Sequence, residues 1–137
     1  MLSYAMKYSV VLATLVIGDV LWLSYFAPTI FRPTLGSIMR DPPNWTVAAL
    51  FYLLYALGVV IFAVAPAYRL ASWRTALLYG ALLGFFAYMT YDLTNLATIR
   101  VWTVRLAVMD VTWGTFVSGL AGLLGYALSR GVLETVR

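Results

Sequence analysis

The stretch YSVVLATLVIGDVLWLSYFA, residues 8–27, decides the fold. At about 1.5 Å per residue in a helix it matches the roughly 30 Å of hydrocarbon in a bilayer. Lys7 and Pro28 bound it, and the only charge inside it is Asp19. A carboxylate at such a depth costs roughly 2.5–3.5 kcal/mol on insertion scales, and nothing about spanning requires one. The stretch is too long, and too firmly marked by a mid-span Asp, to resemble a cleaved signal, and Tyr25 to Ile30 lacks a small-residue cleavage pattern. It is therefore expected to remain in the mature protein.

The rest of the chain agrees with this reading. Of 137 residues, 64% are hydrophobic and only 10% charged, and the mean hydropathy is +0.91. That much apolar surface cannot be hidden in one small soluble core. There is no Cys and no His, so disulfides, thiol catalysis and the usual ligands of haem, copper and iron are all excluded. Carboxylate, Tyr, Arg and amide groups remain for chemistry. No catalytic residue, metal ligand or cofactor site is assigned. The net charge of +4 comes from basic residues set singly at the ends of apolar spans. That pattern anchors helices to lipid headgroups and does not read as a nucleic-acid surface.

Three further spans follow, at residues 45–65, 75–99 and 106–129, the second closed by Pro66. The expectation is an all-α polytopic membrane protein, a four-helix transmembrane bundle forming one domain over residues 1–137. Residues 28–44 contain Pro28, Pro33, Pro42, Pro43 and Gly36, which break a regular helix, while Phe31, Leu35, Ile38 and Met39 give the segment an apolar side. It is expected to lie as an irregular loop on the membrane surface. Four spans put both termini on one face. That face carries Lys7, Arg69, Arg74, Arg130 and Arg137, against Arg32, Arg40, Arg100 and Arg105 opposite. The positive-inside rule thus leans towards cytoplasmic termini.

Three of the five acidic residues, Asp19, Asp92 and Asp110, fall inside spans. Counted from the face opposite the termini, they lie about 12, 10 and 6 Å deep, all in one half of the membrane. Each has aromatic or amide company at helical spacing: Asp19 with Trp22, Asp110 with Trp113, and Asp92 with Tyr88, Tyr91 and Asn95. The string Asp-Val-x-Trp occurs at both Asp19 and Asp110, on helices that run in opposite directions. Antiparallel pairing places Trp113 level with Asp19 and Trp22 level with Asp110, so each indole N–H could donate to the carboxylate of the other helix. Asp110 stands one turn into its helix, where pairing with Arg105 or the helix dipole would also account for it.

Small residues recur at helical spacing. Gly80 and Gly84 form one step, and Gly114, Ser118 and Gly122 form another. Such faces favour internal helix packing over dimerisation, though a homo-oligomer remains compatible with them. The second span, with Tyr52 and Tyr55 but no charge, reads as scaffold.

The strings Gly18-Asp19-Val20-Leu21-Trp22-Leu23, Tyr91-Asp92-Leu93-Thr94-Asn95 and Asp110-Val111-Thr112-Trp113-Gly114 resemble the signature segments of a family of small four-helix bacterial membrane proteins, domain of unknown function family 2177. The resemblance covers nearly the whole chain. It implies a multi-pass inner-membrane protein and supplies no mechanism.

The expected site is therefore a buried carboxylate and aromatic pocket built from Asp19, Trp22, Tyr88, Tyr91, Asp92, Asn95, Asp110 and Trp113. Binding or transport of a small or amphipathic ligand, with proton coupling as an added element, is the leading reading, and membrane lipids are the expected surroundings. Two alternatives stand beside it. One is a membrane enzyme acting on lipid or isoprenoid substrates, with clustered aspartates holding Mg²⁺ against a phosphate. It ranks lower, because there is no DDxxD-like cluster, Ser/His pair or nucleotide loop. The other is an accessory subunit of a larger membrane complex.

Overall fold

The computed structural model describes residues 2–135. Four apolar helical spans of a length and composition able to cross a membrane run through it, Tyr4–Leu35, Trp45–Arg69, Trp73–Thr98 and Val104–Gly131. Their main helices are α1 (Leu2–Phe26), α2 (Trp45–Val59), α3 (Trp73–Thr98) and α4 (Val104–Thr135). Asn44 caps α2 by accepting from the Val47 N–H at 3.2 Å, and Ser72 caps α3 by accepting from the Thr75 N–H at 3.3 Å. Thr103 Oγ1 accepts from the Leu106 N–H in the first turn of α4 at 3.2 Å. Side-chain oxygens thus occupy backbone donors that a helix start leaves unmatched.

Two helices run further than expected. Instead of breaking at Pro28, α1 continues through a π-helical turn, Ala27–Phe31, into a last α turn, Arg32–Leu35. Helix α2 likewise passes through a π turn, Val60–Val64, and carries Pro66 into a final segment, Ala65–Arg69. A proline ring meets the carbonyl four residues back, and a wider turn makes room for it. Near Pro28, the Thr29 hydroxyl donates to the Tyr25 carbonyl at 2.7 Å. The irregular segment shrinks to residues 36–44. Of its expected apolar side, Leu35 is buried beside Trp102 and Leu106 with Phe31 against them, while Ile38 and Met39 are exposed.

Helix α4 is the most buried of the four and packs along both α1 and α3. Lipid offers no hydrophobic drive between apolar helices, so close backbone approach has to supply the packing. The α3–α4 seam shows it. A Cβ placed on Gly80 would stand 2.5 Å from the Ser118 carbonyl oxygen, and one on Gly84 would stand 2.2 Å from that of Gly114. Gly122 faces the Ala76 carbonyl at 2.5 Å in the same way. The small-residue steps are used for internal packing.

The apolar core divides into layers. Val11, Leu15, Val59, Val64 and Val117 fill the half towards the termini, and Leu35, Trp102, Leu106 and Ala107 fill the end opposite. Asp19, Asp92 and Asp110 occupy the sequence positions between these two clusters on α1, α3 and α4.

Gly84→Val is expected to lower stability by about 1–3 kcal/mol or more by forcing α3 off α4. Gly58→Ala, where a Cβ meets nothing within 4 Å, should change it by less than about 0.5 kcal/mol. Unfolding of both variants in mixed detergent micelles measures the difference.

Candidate carboxylate and aromatic site

Asp19 is the best-connected of the three acids. Trp113 donates from Nε1 to its Oδ1 at 2.7 Å, and Tyr52 donates from its hydroxyl to Oδ2 at 2.9 Å. One carboxylate, 8% exposed, therefore ties α1 to α4 and α2. The Trp113 bond is the one the antiparallel depths predict. The reciprocal bond from Trp22 to Asp110 does not form. Trp22 lies on the Trp113 ring, with centroids 4.6 Å apart and planes 8° from parallel, and it also stacks on Phe26. Its buried Nε1 has no hydrogen-bond partner among the described residues. The two indoles meet across α1 and α4 although their backbone positions differ in depth, and the stacked Trp22 ring leaves its donor off the Asp110 carboxyl.

Asp92 is fully buried on α3. Its Oδ1 accepts from Trp102 Nε1 at 3.1 Å. Trp102 sits in the short connection of residues 99–103, with Tyr91 edge-on to its ring at 5.5 Å. Asp92 Oδ2 meets no donor among the described residues. The carboxyl of Asp110, from α4, is its neighbour. Asp110 is half-buried, and it stands in the second turn of α4. Among the described residues no group of three or more potential metal ligands converges.

Asp110 also lines a cavity of about 410 Å³ walled by Phe51 and Tyr55 of α2 and by Ala87, Tyr88 and Tyr91 of α3. Gly114 makes room for the Tyr88 ring, since a Cβ there would stand 2.2 Å from it. Tyr55 shares a hydrogen bond of 2.8 Å with Ser118 and meets Tyr88 edge-on at 6.4 Å. Asn95 stands one turn beyond Tyr91 on α3 and is not among the residues lining the cavity.

Of the eight residues expected at the site, Asp110, Tyr88 and Tyr91 line the cavity. Asp92 stands behind Asp110, and Asp19, Trp113 and Trp22 form an adjoining aromatic and carboxylate cluster. Tyr52, Tyr55, Ser118 and Trp102 were missed. Reading α2 as scaffold overlooked that a phenol hydroxyl in hydrocarbon needs an acceptor, and Tyr52 and Tyr55 supply two such groups at i and i+3.

The family described as "Predicted membrane protein (DUF2177)" matches residues 4–127. The chain belongs to this family. Neither a curated protein nor a solved structure matches it.

Tyr52→Phe and Trp113→Phe should each cost about 1–3 kcal/mol, because each leaves an Asp19 oxygen buried without its donor. Adding Asp19→Leu to the double variant should recover part of the loss, since removing every polar partner together is far cheaper than stranding one. Detergent unfolding of the single, double and triple variants reads this directly.

Proposed function

We propose that the protein binds, and carries across the inner membrane, a small amphipathic organic cation in exchange for a proton. The observation that supports this most is Asp110, a lone carboxyl in a cavity otherwise walled by Phe51, Tyr55, Tyr88 and Tyr91. Aromatic faces and one carboxylate are complementary to an ammonium group that carries apolar substituents. A volume of about 410 Å³ falls in the range of small-molecule pockets.

The neighbouring carboxyl supplies the proton. Two neighbouring carboxyls buried in the bundle cannot both be ionised without strong repulsion. A single proton between them turns that repulsion into an O–H···O bond. A cation entering the cavity takes over the role of that proton, so cation and proton compete for one negative charge. The groups facing the pair are Tyr88 and Tyr91 from α3, Tyr55 from α2, Trp102 through the Nε1 that donates to Asp92 and, one layer away, Asp19 from α1. Among the described residues none of these is a cation. Cytoplasmic termini, in line with the balance of basic residues at the two faces, belong to the same proposal.

Benzyltriethylammonium is a suitable probe because its charge does not change with pH. In lipid nanodiscs, its affinity for the wild-type protein should rise with pH as the shared proton leaves. Asp110→Asn should weaken binding at least tenfold, about 1.4 kcal/mol. Asp92→Asn should leave the protein folded and move the pH dependence to lower pH, because Asn keeps the shape and acceptor of Asp while Asp110 no longer has a second carboxyl to share a proton with. Calorimetric titration checks all three. Equal affinity in wild type and Asp110→Asn would sink the proposal.

A further inference from the structure

A second recessed surface lies on the other side of α2. At the membrane face opposite the termini, a cavity of about 510 Å³ is lined by Arg32, Arg40, Asp41, Met39, Leu23 and Trp45. It opens onto a groove of about 590 Å³ between α1 and α2, because Leu23 and Trp45 line both. Below those two residues the groove is apolar, walled by Leu12, Val16 and Val20 on one side and Ala49 and Leu53 on the other. Its one polar side chain, Tyr52, spends its hydroxyl on Asp19 at 2.9 Å.

We infer that this combined cavity and groove is a phospholipid site, with the headgroup phosphate held by Arg32 and Arg40 and one acyl chain lying between α1 and α2. The length fits: from Leu23 to Leu12 a helix rises about 16 Å. That is about half of the roughly 30 Å hydrocarbon core, the depth an acyl chain of one leaflet fills. The chemistry also fits. Two exposed guanidinium groups stand where the interface begins, and Arg is the side chain best suited to phosphate. Trp45, 70% exposed, sits at the junction of polar and apolar halves, where an amphipathic ring is at home. With Arg32 and Arg40 against Asp41, the charged end keeps one net positive charge, to which a phospholipid brings a phosphate anion while bringing only methylenes to the apolar rest. This site is independent of the cation proposal, since α2 presents Phe51 and Tyr55 to one cavity and Ala49 and Tyr52 to the other.

Native mass spectrometry of the whole protein, released from micelles doped with palmitoyl-oleoyl-phosphatidylglycerol, tests the inference. The wild type should retain one phospholipid adduct and should not retain diacylglycerol, which has the same chains and no phosphate. Arg32→Gln with Arg40→Gln should cut the adduct at least tenfold. Ala49→Phe, which fills the groove and leaves both arginines in place, should cut it as well. A thermal melt of each variant confirms that the fold is retained. Retention by the arginine double variant equal to wild type, equal retention of diacylglycerol, or a protein dimer in place of the lipid adduct would each overturn it. None of these outcomes depends on whether an ammonium ion binds at Asp110.

Discussion

The contact that the rest of the molecule depends on is the backbone approach of α3 to α4. Gly80 and Gly84 lie against the carbonyls of Ser118 and Gly114 with no room for a Cβ. In lipid such contacts must hold helices together through packing, because no solvent is gained by burying apolar surface. The seam has chemical consequences as well as mechanical ones. It brings Asp92 up to Asp110, seats Tyr88 over Gly114 and puts Ser118 within reach of Tyr55. A wider spacing would separate these groups and leave each carboxyl to lipid.

Much of the fold was legible because a bilayer imposes so few solutions. Span length, the rare charges and the small-residue steps each have one economical reading in hydrocarbon. The prolines were less legible. Pro28 and Pro66 read as helix ends because a straight α-helix cannot hold them, but a π turn lies just before Pro66 and another contains Pro28. Whether a chain stops or widens at a proline depends on what the continuation buries, and Leu35 and Ala67 are both buried beyond those turns.

The site was legible to the extent that depth alone fixes contacts. Counting along antiparallel helices places Trp113 beside Asp19, where it is found. The same count places Trp22 near Asp110, yet says nothing about rotation of the ring, and the Trp22 ring stacks on Trp113 instead. Trp102 was beyond reach for another reason. A tryptophan in a connecting segment reads as an interfacial anchor, and only the turn of residues 99–103 shows its N–H folding back to Asp92. Tyr52 and Tyr55 could have been found, because two phenols on a chargeless span need acceptors on its neighbours.

The bonds around Asp19 also set a timetable. A ribosome adds about 5–20 residues per second, and Tyr52 follows Asp19 by 33 positions while Trp113 follows it by 94. The carboxylate therefore waits roughly 2–7 s for its first donor and roughly 5–19 s for its second. Through that interval the nascent α1–α2 hairpin carries a half-satisfied acid into the bilayer, and only the arrival of the last helix relieves it. A chain that stalls or is truncated before α4 keeps that acid without its second donor.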